Sequence, residues 1–143
     1  MKTLILLSSS FICLLLFSNF NLQSKTKKSK TPVVLLDKNF TYNAKTNAPL
    51  NIDTAYISKN ILVIKIKYSG GCKEHSFELK SDGNFAKSNP PQISAYLLHN
   101  SNDDACRSLQ SKELKFNIVS LKNKDKKPVI INLNNEQKIK YNY

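Results

Sequence analysis

Residues 61–68 read Ile-Leu-Val-Ile-Lys-Ile-Lys-Tyr. Leu62, Ile64, Ile66 and Tyr68 fall on one side of an extended backbone, with Lys65 and Lys67 on the other. This period of two marks a half-buried β-strand; a helix would scatter the same residues around its circumference. The theme recurs along the chain. Phe77 and Leu79 alternate with Glu78 and Lys80, and Leu114, Phe116 and Ile118 alternate with Lys115 and Asn117. Ile93, Ala95 and Leu97 alternate with Ser94, Tyr96 and Leu98, a composition that suits burial on both faces. Residues 32–36 form a short apolar run, and a further strand region opens at 54–57. Val129 to Leu133, then Asn134-Asn135, Ile139 and Tyr141, predict a closing hairpin. Ser81-Asp82-Gly83-Asn84 is a tight-turn signal. Residues 103–111 are the one stretch expected to form a turn or two of helix. About seven to nine short strands separated by such turns predict an all-β domain, an antiparallel β-sandwich or a small barrel.

The N-terminus determines how the cysteines are read. Met1-Lys2 is a short basic start, residues 4–20 carry no charge, and Lys25, Lys27, Lys28 and Lys30 follow. Residues 1–24 therefore read as a secretory signal peptide, cut near Leu22-Gln23-Ser24. Serines interrupt the apolar run, which falls short of the ~20 residues of a membrane span. The lysines behind it also oppose retention as an anchor; an uncleaved anchor is the alternative. Cys13 follows Ser10-Phe11-Ile12, where a lipid-attachment site wants small residues, so it is read as part of the apolar run. Residues 25–31 have no apolar side chain and are expected to be a basic flexible linker. Residues 32–143 are then a single β domain of ordinary size. The expected location is exported: periplasmic, cell-surface or secreted.

The chain has 22 Lys plus Arg and 10 Asp plus Glu, a net charge of +12. Removing residues 1–24 takes away Lys2 and no acid, so 21 basic residues against 10 acidic leave +11. Such a surface attracts anionic polysaccharide, anionic lipid or nucleic acid. Only Arg107 among the 22 basic residues is an arginine, although phosphate readers favour the guanidinium fork. Nucleic acid is therefore not the expected partner; an anionic polysaccharide or another envelope protein fits better. Much of the charge is read as compositional drift towards Lys, Asn and Ile.

Chemistry concentrates in Ser69-Gly70-Gly71-Cys72-Lys73-Glu74-His75-Ser76-Phe77, which holds two of the three glycines. Cys72 and His75 are matched downstream by His99 and Cys106. In an oxidising compartment Cys72 and Cys106 pair by default. The bridge would close a loop of about 35 residues, worth roughly 4 kcal/mol in the chain-entropy model. A zinc site of Cys72, His75, His99 and Cys106 is the sharper alternative, weakened by the loose spacing between His99 and Cys106. A variant keeps the bridge and gives His75 and His99 a zinc or copper ion, with Asp103, Asp104 or Glu74 as third ligand. The preferred reading has no cofactor: each imidazole packs beside the bridge, the rings diverge, and the nitrogens bond nearby backbone. The oxygen-rich loop 100–104 lacks the spacing and glycine of a calcium hand.

Ser69-Gly70-Gly71-Cys72-x2-His75-x-Phe77-x-Leu79, then Leu97-x-His99 and Asp103-Asp104-x-Cys106, resemble a pattern in small exported, often lipid-anchored proteins of Bacteroidetes-type bacteria. These are loosely similar to the lipoprotein NigD. The resemblance covers residues 52–143, and Gly-Gly-Cys-x2-His is its most specific part. It implies an exported β-rich domain and brings no activity or catalytic residue with it. The chain departs from the lipid-anchored members in lacking their attachment motif. Asp53-Thr54-Ala55 resembles the acceptor tripeptide for O-glycosylation in such bacteria, with Thr54 as acceptor.

Enzymatic motifs are missing from the sequence. It has no Gly-x-Ser-x-Gly elbow and no P-loop or dinucleotide fingerprint. A cysteine nucleophile would require an unpaired thiol. The expected function is an exported, non-catalytic binding or interaction module stabilised by Cys72–Cys106. The alternative is a metal-binding protein using His75 and His99.

Overall fold

The computed structural model describes residues 31–125 and 128–143. The expected signal peptide, and all but the last residue of the expected linker, lie outside them. Along the described residues run nine strands: β1 (Leu35–Leu36), β2 (Asn51–Ser58), β3 (Ile61–Gly70), β4 (Ser76–Ser81), β5 (Phe85–Ala86), β6 (Gln92–Asn100), β7 (Ser108–Asn117), β8 (Val129–Leu133) and β9 (Gln137–Tyr141). Strands β2, β3 and β7 make one sheet; β1, β4, β6, β8 and β9 make the other, with β5 on the edge of β6. The expected all-β sandwich is the observed class.

Alternation decides which residues face the partner sheet. In β3, Leu62, Ile64 and Ile66 are buried while Lys65 and Lys67 are exposed. Leu114 and Phe116 of β7 lie on the same inner side, because β7 pairs antiparallel with β3 from Ile61 opposite Asn117 to Gly70 opposite Ser108. The other sheet answers with Leu79, Ile93, Ala95, Leu97, Ile131, Leu133 and Tyr141, and Ile118 joins the same core. Each large aliphatic side chain buried this way contributes roughly 1.5–3 kcal/mol of transfer free energy. Phe77 is only half-buried, since its ring packs at one end of the sandwich rather than at its centre. The Tyr141 hydroxyl is held by Asn60 Oδ1 at 2.6 Å. Burial pushes that phenol up to about 12, and neighbouring Tyr143 adds to the effect.

Two expectations are corrected. The pairing is mixed rather than wholly antiparallel: β1 runs parallel to β4, and β6 parallel to β8. Between β6 and β8 the chain crosses to the other sheet as β7, so it returns in the direction of β6. The helix expected within 103–111 does not form. Asn102 and Asp103 have φ of 50° and 54°, the left-handed region that breaks a right-handed helix, and β7 begins at Ser108. The apolar run 32–36 contributes only Val34 to the core; Val33, Leu35 and Leu36 are about half exposed. This segment instead closes the seam between the sheets. Val34 N–H donates to the Asn117 carbonyl, and Asn117 N–H donates to that of Pro32.

β6 has different partners along its length. Its first half pairs with β5 and β8, and its second half with β4. Past the end of β8, side chains take over the unpaired edge. Asn134 Oδ1 accepts from Leu97 N–H at 2.7 Å, and Asn47 Oδ1 accepts from His99 N–H. The His99 carbonyl then accepts from Ala48 N–H at 2.9 Å. Segment 47–50 is thereby laid along the end of β6, beside His99.

The two faces of β3 should separate in a mutational test. Ile64→Ala is expected to cost about 2–5 kcal/mol in urea unfolding, and Lys65→Ala less than about 0.5 kcal/mol. Comparable losses at the two positions would contradict the assigned faces.

Candidate functional site

Two loops meet at one end of the sandwich. The β3–β4 loop carries Cys72 and His75, and the β6–β7 loop carries Asp104 and Cys106. They are brought together because Gly70 pairs with Ser108 across one sheet and Ser76 with Asn100 across the other. Cys72 and Cys106 are joined by a disulfide with their Cα atoms 5.8 Å apart, within the usual range for such bridges.

Asp104 lies between the loops. Its Oδ2 accepts from three consecutive amides, Gly71 at 2.9 Å and Cys72 and Lys73 at 3.0 Å each. Its Oδ1 accepts from Cys106 N–H at 2.9 Å. Successive amides turned towards one anion form a backbone nest. The side chain has 0% exposure, yet its carboxyl is held well below the ordinary value of 3.8. The Lys73 amide is the largest cause, followed by Cys106 and opposed by burial; Cys72 and His75 contribute further.

The same Oδ2 meets His75 Nε2 at 3.1 Å, and His75 Nδ1 meets His99 Nε2 at 2.8 Å. His99 Nδ1 lies 3.1 Å from the Ala48 carbonyl and 3.2 Å from that of Pro49. Carbonyls only accept, so Nδ1 of His99 carries its hydrogen and Nε2 is the acceptor. His75 therefore donates from Nδ1 to His99. Burial is the main cause that lowers the His99 pKa from 6.5; the Ala48 carbonyl opposes this, and the charge of His75 adds to the lowering. Both rings are buried and packed among aromatics. Phe77 stacks on His99 with ring centroids 4.7 Å apart, and Tyr68 lies 4.8 Å from His75 and 5.2 Å from His99.

The rings thus turn towards each other, contrary to the expected divergence. All four ring nitrogens are engaged, so a metal ion here would have to displace one of these bonds. Asp104, rather than Asp103 or Glu74, is the carboxylate that reaches the imidazoles; the other two residues are exposed. Cys72, Asp104 and Cys106 also lie close together, but the two sulfurs are bonded to each other. Thr54 is exposed on β2, next to a register shift between Ile52 and Thr54.

Beside this cluster opens a cleft of about 700 Å³. Ala48, Pro49, Leu50, Tyr68, Ala105 and Leu109 give it an apolar lining; Lys67 and Arg107 add cations; His99 and Asp104 also border it. Sequence reasoning found the histidines and cysteines but missed this cleft. Leu109 was the available signal: an apolar residue in β7 out of phase with Leu114 and Phe116, and 72% exposed.

The adjacent glycines serve different ends. A Cβ on Gly70 would lie 2.7 Å from the His75 ring and 3.1 Å from Asp104 Oδ2. Gly71 has φ of +121°, which turns its amide into the nest at little steric cost. Gly70→Ala should therefore destabilise the domain by about 1–3 kcal/mol, read by urea unfolding. A near-neutral effect would show that His75 can move without consequence. Asp104, with its folded pKa depressed, contributes stability that is present above the unfolded value near 4 and lost as pH falls through the folded value. Unfolding free energy measured between pH 6 and about 2 should fall less steeply in Asp104→Asn than in the native chain. Matching slopes would count against the nest.

Residues 31–142 match the NigD-like C-terminal beta sandwich domain family. No curated protein matches the chain. Among solved structures, a protein of Parabacteroides distasonis described as toxin-related aligns with a TM-score of 0.55 at 20% identity, over 78% of this chain and 61% of that one. A NigD-like immunity protein of Bacteroides caccae aligns with a TM-score of 0.53 at 11% identity, over 77% of this chain and 58% of that one. At these identities the likeness is one of fold, and the chain spans about three fifths of the length of the structures it matches. The match across residues 31–142, on a two-sheet sandwich with its loops bridged at one end, establishes that the chain belongs to the NigD-like C-terminal beta sandwich domain family.

Proposed function

We propose that this is an exported cell-envelope protein whose sandwich is a non-catalytic binding module, with the cleft beside the Cys72–Cys106 bridge as its binding face. The observation that carries this reading is the cleft itself. Leu109 is exposed in its lining, and the loops that border it are tied by the disulfide and the Asp104 nest. Such a border is pre-organised, which lowers the ordering cost of binding. The disulfide supports an oxidising location, and with it the signal peptide at 1–24, the linker at 25–31 and the domain at 32–143. The commitment of every imidazole nitrogen and both sulfurs supports binding over catalysis, because neither a free base nor a thiolate is offered to a substrate. The net charge of +11 left once residues 1–24 are removed draws the protein towards anionic envelope surfaces, polysaccharide among them. Exposed Thr54 is the proposed glycosylation acceptor.

Amide and methyl NMR on the labelled, oxidised mature chain, titrated with a soluble envelope extract, tests this reading. Shifts should cluster at Leu50, His99, Ala105 and Leu109, and Leu109→Ser should weaken them. Shifts centred on the β8–β9 hairpin instead would move the binding face away from the cleft.

A further inference from the structure

The cleft is apolar and electrically one-sided. Asp104 is the one acid in its lining, and that carboxylate is spent on four amides and His75. Lys67 is partly neutralised by Asp53 at 2.8 Å. Arg107 is exposed at the cleft and makes no ion pair among the described residues. It is also the single arginine in a chain that otherwise uses lysine for every positive charge. A guanidinium presents a planar fork that matches a carboxylate in a way an ammonium does not. The lining it shares includes the apolar residues Leu109, Leu50 and Tyr68. A volume of about 700 Å³ lies in the size range of small-ligand sites.

Resting on the cleft as binding face, we propose that its ligand is a small amphiphilic carboxylate of the fatty-acid type. The head pairs with Arg107, and the hydrocarbon tail covers Leu109, Leu50 and Tyr68. The uncompensated cation selects an anion, and the apolar walls select a tail over a sugar. Asp104 does not repel the head, because its own charge is already satisfied within the fold.

Isothermal titration of the oxidised mature chain with decanoate, decanol and decyltrimethylammonium, each below its micellar range, tests the proposal. Decanoate should saturate a single site and bind best. Arg107→Gln should weaken decanoate by about tenfold, the scale of one charge-assisted hydrogen bond, while leaving decanol unchanged. Leu109→Ser should weaken both. Both residues are exposed, so these variants retain the fold. Binding of the ammonium as tight as that of decanoate, or an unchanged Arg107→Gln variant, overturns the assignment. Failure of decanoate to bind also overturns it. In that case, shifts from the envelope extract still falling on the cleft would keep the binding face and discard only this ligand class.

Discussion

A single buried carboxylate organises the end of this sandwich. A charged group withdrawn from water is costly unless it is met by donors, and Asp104 is met by four amides and an imidazole. Three of the amides come from the β3–β4 loop and one from its own loop. Satisfying the charge therefore requires both loops to adopt one mutual arrangement. The disulfide limits how far the loops can separate, whereas the carboxylate determines how they face each other. Without it, Gly71, Cys72 and Lys73 would each leave a donor seeking a partner, and His75 would lose the contact that orients its ring.

Orientation then passes from ring to ring. Asp104 orients His75, His75 orients His99, and His99 ends on the carbonyls of Ala48 and Pro49. Those carbonyls belong to the segment that walls the cleft. A polar thread thus joins the disulfide loop to segment 48–49 of the cleft lining, flanked by the rings of Tyr68 and Phe77. Hydrogen-bonded chains of this kind rigidify when every member is satisfied.

The sandwich was legible because its signal is local. Alternation in β3, β4, β6 and β7 needs only the pleat of a strand, and it placed Leu62, Ile64, Ile66, Leu79, Leu97 and Phe116 correctly. Pairing of Cys72 with Cys106 was legible from the expected compartment and the count of cysteines. The rest depends on geometry that composition does not encode. Residues 103–111 have a composition that permits a helical turn, but the left-handed Asn102 and Asp103 deny it. Parallel pairing of β6 with β8 follows from which sheet β7 joins, a choice made by the whole core. The choice of Asp104 over adjacent Asp103 follows from the turn that aims one side chain inward and leaves its neighbour in water. Arg107 stood out by composition, and its position at a cleft became visible only when the β6–β7 loop was seen against segment 48–50.

The β3–β7 ladder also has a kinetic meaning. Ile61 stands opposite Asn117, so the longest pairing in the domain cannot begin until widely separated parts of the chain meet. Sandwiches built this way fold on the millisecond-to-second scale, because the entropy of closing large loops comes due before native contacts repay it. The disulfide sits at the far end of this ladder, two residues beyond Gly70 on one side and two before Ser108 on the other. Once Cys72 and Cys106 are linked, β3 and β7 are tethered in register, and pairing can zip outward from the bridge towards Ile61. In the oxidised chain the bond is therefore an initiation point for the sheet as well as a brace on the finished fold.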